Sequence, residues 1–124
     1  MLAWHVMIIP SLSGIRFTTD ENMADIAARY AAAFAGAHIG KIVIGRDARP
    51  SGKAIVATIM KALKGLGCTA IDIGIVPTPT LTLAIPKLKA KGGIMVTASH
   101  NPAEWNGLKL FNGNGDYLDY VLGA

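Results

Sequence analysis

Helical and strand-like periodicities alternate along most of this chain. Residues 20–35 carry Ile26, Tyr30 and Phe34 at fourfold spacing in an alanine-rich background, which marks one face of an amphipathic helix. Asp20 stands where an N-cap belongs, and Gly36 where such a helix stops. Residues 51–66 repeat the pattern with Ile55, Ile59 and Leu63, behind Ser51 as cap and ahead of Gly65 and Gly67. A third helix is expected over about 80–88, entered through Pro77 and Pro79 and kinked or ended by Pro86. The runs 41–45 (KIVIG), 69–75 (TAIDIGI) and 93–97 (GIMVT) separate these helices and read as strands, rich in β-branched residues. A further strand at 108–111 meets the turn NGNG at 112–115, which predicts that 117–118 pairs back across it. Residues 6–9 read as an edge strand halted by Pro10, and 11–19 as a polar loop.

Strands joined through helices run parallel, and a hairpin adds an antiparallel edge. The order therefore predicts an α/β fold, a three-layer domain with a mostly parallel sheet of about four strands plus an antiparallel edge and helices on both faces. The 124 residues fit one domain, 1–124, without internal repeat or linker. Apolar residues at 52% against 16% charged exclude a disordered chain. No apolar run reaches the roughly 20 residues that cross a bilayer, and residues 1–10 lack the basic start and cleavage site of a signal peptide. A lone cysteine, Cys68, rules out an internal disulfide and is expected to be buried; it fits a reducing, cytoplasmic setting. The excess of 12 basic over 8 acidic residues leans toward anionic ligands such as phosphates. Lys87, Lys89 and Lys91 have no aromatic residues between them, so nucleic acid is not expected as a partner, and without a long apolar run neither is a membrane. His5 and His38 read as structural or surface residues, and no zinc-ligand spacing occurs. Gly65, Gly67 and Ala70 mimic a dinucleotide fingerprint, but they follow a helix instead of opening one and read as its end.

In an open α/β sheet, ligands bind beyond the carboxyl ends of the strands. Two polar loops leave such ends. The first, 45–52 (GRDARPSG), brings Arg46, Asp47 and Arg49 to a helix N-terminus, where backbone N–H groups and the helix dipole favour an anion. Its arginines either fork onto phosphate oxygens or pair with Asp47 to shape the loop, and Asp47 can also orient an arginine that binds phosphate. The second loop, 97–102 (TASHNP), sets Ser99 just past a buried strand, with His100 next to it. Three readings of Ser99 compete: an ordinary loop residue, a hydrolase nucleophile, or a phosphorylated serine. The second lacks the G-x-S-x-G elbow. The third requires cations nearby, for which Arg16, Arg46, Arg49 and Lys109 are candidates. Trp105, at the border of the loop, reads as packing.

TASHNP, followed by Asn106-Gly107-Leu108-Lys109, closely resembles the phosphoserine loop of the α-D-phosphohexomutases. Ser13-Gly14-Ile15-Arg16 resembles the N-terminal S/D-G-I-R-G motif of that family, residues 45–52 its G-R-D-x-R-x-S-G loop, and Pro77-Thr78-Pro79 its P-T-P lead into a helix. The four motifs stand in the family's order and extend over about 9–119. The resemblance implies domain I of a phosphoglucomutase, phosphomannomutase or phosphoglucosamine mutase. In such enzymes a phosphoserine gives its phosphoryl group to a hexose phosphate, the bisphosphate turns over in the site, and the other phosphate returns to the serine. By motif position, Ser99 is the phosphoryl carrier and one contact of a Mg²⁺ ion. Arg16 and Lys109 become acid/base or charge-stabilising groups, with His100 in the catalytic loop. Ser13, Arg46, Arg49, Asn101 and Asn106 become substrate- or phosphate-binding residues.

Phe17 stands where the family usually has glycine, beside Arg16. The family's metal loop D-G-D-x-D-R, its sugar-selecting loop and its C-terminal phosphate-binding loop have no counterpart here. The resemblance therefore implies one domain of a four-domain enzyme, inactive alone. Its partners are hexose phosphates and the remaining domains, which supply the other Mg²⁺ ligands. The alternative is a stand-alone binding or scaffold domain that keeps the fold without catalysis.

Overall fold

The computed structural model describes the backbone of residues 8–11 and all of residues 14–118. Along the chain run β1 (Ile8–Ser11), β2 (Gly14–Thr18), α1 (Met23–Gly36), β3 (Lys41–Arg46) and α2 (Gly52–Gly65). There follow β4 (Thr69–Ile75), α3 (Thr78–Lys87), β5 (Gly92–Val96) and β6 (Trp105–Asn112). The strands form one sheet in the order β1-β2-β6-β5-β3-β4. β3 lies parallel to both β4 and β5, while β5–β6, β6–β2 and β2–β1 are antiparallel.

The path from β3 to β4 crosses the sheet one way through α2, and the path from β4 to β5 returns through α3. Parallel crossovers are right-handed, so reversing the direction of travel puts α2 and α3 on opposite faces. Burial agrees. Ile42 and Ile44 of β3 join Ile55, Ile59 and Leu63 of α2 and Phe34 of α1 in one core. Val43, between them in sequence, joins Leu81 and Ile85 of α3 with Met95 and Phe111 in the other. Period-2 alternation thus sorts neighbouring residues into separate layers. The α/β class, the mixed sheet and helices on both faces match the sequence reading.

The antiparallel part is deeper than a single edge. Residues 14–18, expected within a loop, form β2 between β1 and β6. Ile15 and Phe17 are buried on the α1/α2 side and Arg16 between them turns the other way, so the segment alternates as a strand does despite its glycine and arginine. Two caps also differ from expectation. α1 starts at Met23, and Asp20 instead accepts the Asn22 backbone N–H at 2.8 Å and the Thr18 hydroxyl at 3.1 Å, shaping the turn before the helix. Ser51 does occupy the N-cap of α2, but its hydroxyl makes no capping bond; it accepts from Asn106 Nδ2 at 2.8 Å. α3 starts at Thr78 and carries Pro86 in its last turn.

The hairpin after β6 closes as expected, with Tyr117 bridging Phe111 and Leu118 N–H donating to the Leu110 carbonyl at 3.1 Å. Cys68 is buried and free. His38 stacks on Phe34 and contacts its carbonyl through Nδ1 at 2.9 Å, a structural role; His5 lies outside the described residues. Among the described residues no helix is long and apolar enough to cross a membrane.

Candidate functional site

β3 and β5 are parallel neighbours with Arg46 opposite Val96, so the loops that follow them leave the same sheet edge side by side. Asp47 joins them. Its backbone N–H donates to the Val96 carbonyl at 3.2 Å. Its Oδ2 accepts the Thr97 hydroxyl at 2.6 Å and Arg49 Nε at 3.1 Å, and its Oδ1 accepts the Arg49 backbone N–H at 3.1 Å. The Arg49 guanidinium then reaches across the serine loop. Nη2 donates to the Ser99 carbonyl at 2.7 Å, and Nη1 to the carbonyls of Pro102 and Trp105 at 2.7 and 3.1 Å. With Nε on Asp47, four of the five guanidinium N–H groups are engaged within the protein. The ion pair that shapes this loop is present, and Arg49 organises the serine loop from inside.

Ser99 is half-buried and has φ of 55°, the left-handed region that costs a non-glycine residue about 1–2 kcal/mol. Both sides of its backbone are held: its N–H donates to Thr97 Oγ1 at 3.0 Å and its carbonyl takes the Arg49 bond. The Asn101 N–H closes the turn onto the Ala98 carbonyl at 3.1 Å, and His100 is exposed. Asn106 is fully buried, with Oδ1 on the Gly107 N–H at 2.9 Å and Nδ2 on Ser51. It ties β6 to the start of α2 instead of facing a ligand.

Arg16 and Lys109 come together from β2 and β6. Gly14 pairs with Lys109 and Arg16 with Gly107, which makes the two cations diagonal neighbours across the ladder. Ile15 and Leu108 take the buried α1/α2 side, leaving Arg16 and Lys109 on the other. Arg16 Nε is buried without a hydrogen-bond partner among the described residues. A buried donor in that state is costly, and an anion answers both its charge and its missing acceptor. Lys109 has its pKa lowered by burial first, then by the Arg16 guanidinium, with Asp47 opposing in part. The two cations and the Asp47 hub therefore share one electrostatic neighbourhood.

Arg46 does not join them. Its position in β3 alternates with Gly45, so its side chain follows Ile42 and Ile44 to the α2 side and packs beside Gly52. There it lines a cleft of about 250 Å³ with Lys53, Met60 and Asp72. Ser13 lies outside the described residues. Thr97 went unremarked in the sequence, yet it is a buried hydroxyl with two partners; a polar residue ending a fully buried strand was the available signal.

The donor set does not make a Mg²⁺ site by itself. Among the described residues no group of three or more His, Cys, Asp or Glu is placed to hold a metal, whereas Mg²⁺ takes about six oxygens in octahedral array.

The Lys109 shift has a testable sign. A lysine whose folded pKa lies below its unfolded value of 10.5 binds fewer protons when folded, so stability rises with pH between those two values. The stability of the native chain relative to Lys109→Met is expected to increase as pH climbs toward 10.5, read from urea unfolding at a series of alkaline pH values. A difference that stays flat or falls over that range contradicts the burial of Lys109.

Residues 11–119 match the family described as phosphoglucomutase/phosphomannomutase, alpha/beta/alpha domain I. A probable phosphoglucosamine mutase of Methanosphaera stadtmanae is 44% identical over 114 residues, covering 86% of this chain and 25% of that protein. The phosphoglucosamine mutase of Clostridioides difficile is 44% identical over 84 residues, 68% of this chain and 19% of that protein. Among solved structures, a putative phosphomannomutase from Thermus thermophilus superposes with a TM-score of 0.75 at 30% identity, over 90% of this chain and 28% of that one. The chain spans about a quarter of the length of the curated relatives it matches. Its four motifs, the sheet order that brings two of their loops to one edge and the family match over 11–119 lead to one conclusion: this chain belongs to the phosphoglucomutase/phosphomannomutase family, in the α/β/α domain I.

Proposed function

We propose that residues 1–124 form domain I of a phosphohexomutase that interconverts hexose 1- and 6-phosphates, with Ser99 as the phosphoryl carrier. The observation that supports this most is the state of Ser99 and its surroundings. A serine held in the left-handed region through both its N–H and its carbonyl stands at the strand edge with Asp47, whose charge is felt by Lys109 beside the unsatisfied Arg16. A structural loop has no need of a serine strained in this way beside a hub that an unpartnered arginine donor and a lysine share. A phosphoserine has, since phosphoryl transfer depends on positioning and charge neutralisation.

In this reading a sugar hydroxyl oxygen attacks the phosphorus on Ser99, the bond from phosphorus to Ser99 Oγ breaks, and the serine leaves as its alkoxide or alcohol. The hydroxyl proton passes to a nearby base, for which Lys109, its pKa lowered by burial and by the Arg16 guanidinium, is the candidate. Arg16 binds phosphoryl oxygens through Nε and neutralises their charge. The second half-reaction runs the same steps in reverse on the other phosphate of the bisphosphate. His100 and Asn101 touch substrate from the loop. Arg46 and Asn106 are not given substrate contacts, because one faces the α2 cleft and the other is fully buried. Mg²⁺ would take one oxygen from phosphorylated Ser99 and its other ligands from further domains, the second partner beside the hexose phosphate. The relatives' name of phosphoglucosamine mutase favours a glucosamine phosphate as the sugar. Buried, unpaired Cys68 accords with a cytoplasmic setting.

The chain alone is expected to show no turnover of glucose, mannose or glucosamine phosphates with Mg²⁺ and a bisphosphate activator. Joined to the remaining domains of a phosphoglucosamine mutase relative, it should interconvert the 1- and 6-phosphates, fastest with glucosamine. Turnover by the 124-residue chain, or a folded joined protein inert on all three sugars, contradicts the reading.

A further inference from the structure

The carrier reading leaves one question: what holds Ser99 in a conformation that a serine resists. Arg49 supplies half the answer by gripping the Ser99 carbonyl. The other half is the Ser99 N–H, and its partner is a side chain, Thr97 Oγ1 at 3.0 Å. The Thr97 hydroxyl has one proton, and it points to Asp47 Oδ2 at 2.6 Å, because a carboxylate paired with arginine can only accept. The oxygen lone pairs of Thr97 are thereby left for the Ser99 N–H. Asp47 also holds Nε of Arg49, the residue that grips the Ser99 carbonyl. One carboxylate thus sets both hands on Ser99, through Thr97 on the N–H and through Arg49 on the carbonyl.

Thr97 is well placed for this. It is buried, its N–H donates to the Gly107 carbonyl at 2.9 Å, and it extends the fully buried β5. A hydroxyl at that depth is expensive unless both its proton and its lone pairs are used, as they are here. Valine has the same shape and would pack at least as well, so packing alone gives no reason for threonine.

We infer that Thr97 is a positioning residue for phosphoryl transfer, its hydroxyl relaying the orientation of Asp47 to the backbone of Ser99. This rests on Ser99 being the carrier. Thr97 does not touch the transferring group. It fixes the peptide that carries Ser99 Oγ, the oxygen whose bond to phosphorus forms and breaks, and misplacement of a reacting atom by about 1 Å costs on the order of 10²-fold in rate.

The test uses the chain joined to the remaining domains of a relative, dephosphorylated and mixed with labelled glucose 1,6-bisphosphate, with label mapped to its residue. Thr97→Val should lower the maximal rate of Ser99 labelling by about 10- to 100-fold and leave the half-saturating bisphosphate concentration unchanged. Thr97→Ser, which keeps the hydroxyl and drops the methyl, should restore the rate to within about threefold of the native protein. Thr97→Cys, close in size but a weak donor and acceptor, should resemble valine, and it carries the test if the valine variant does not fold. Labelling of Ser99 at the native rate in both Thr97→Val and Thr97→Cys overturns the inference. So does a serine variant as slow as the valine one, since the methyl and not the hydroxyl would then matter. Label on a residue other than Ser99 in the native protein overturns the carrier reading and this inference with it, which separates the two failures.

Discussion

Ser99→Ala is expected to abolish phosphoryl transfer from labelled glucose 1,6-bisphosphate, in a joined protein that otherwise folds normally. A covalent carrier has no substitute, because without the oxygen there is no bond for the phosphorus to form. On the proposed reading Lys109→Ala removes proton transfer or charge stabilisation only, effects of about 10²–10⁴-fold, so residual labelling of Ser99 should survive it. The opposing view, that Ser99 is an ordinary loop residue, predicts a change within about 0.5 kcal/mol in stability and full activity in the alanine variant. The contacts that hold this residue are made by its backbone N–H and carbonyl, which alanine keeps, so a folding defect is not expected to mask the result. Persistent labelling of the Ser99→Ala protein would show that the loop is not the carrier.

A large stability effect is expected at a residue with no chemistry. A Cβ on Gly107 would fall 2.3 Å from the Ile15 carbonyl oxygen, 3.0 Å from the Thr97 carbonyl oxygen and 3.1 Å from the Arg16 Cα. All three are backbone atoms, so no rotamer change relieves the overlap. β2 must move away from β6, and the pairing that sets Arg16 beside Lys109 opens with it. Gly107→Ala should therefore lose roughly 2–4 kcal/mol in urea unfolding, at the upper end of what overpacking costs. Gly65→Ala, at the end of α2 with nothing within 4 Å of its Cβ, is the control and should change stability by under about 1 kcal/mol, toward stabilisation. Equal midpoints for the two variants would contradict the close approach of β2 and β6.

Much of the site was legible because a rule of topology did the placing. Parallel strands 41–46 and 92–96 had to send their following loops to one edge, so the meeting of Asp47 and Arg49 with the serine loop followed from the order of helices and strands. What was hidden depends on register and facing. Residues 14–18 read as loop because glycine and arginine outweighed an alternation only a few residues long, and with β2 unrecognised nothing in the sequence set Arg16 beside Lys109. Arg46 and Arg49 look equivalent in GRDARPSG, yet the strand pleat sends Arg46 to the α2 side while Arg49, beyond the strand, folds back over the loop. Asn106 and Ser51 read as ligand contact and helix cap; they bond each other, 55 residues apart, a pairing no local pattern announces.

The reach of Arg49 over Ser99, Pro102 and Trp105 also bears on how the loop behaves as the protein breathes. Exposed active-site loops commonly open as low-stability units of their own while the core stays shut. This loop is bolted to the β3 end by the Arg49 guanidinium and by the Thr97 hydroxyl, both on Asp47, which is itself bonded to the Val96 carbonyl at the tip of the central sheet. Its order is therefore carried by the same cooperative unit as the sheet. The entropy of arranging the serine is spent once, when the domain folds.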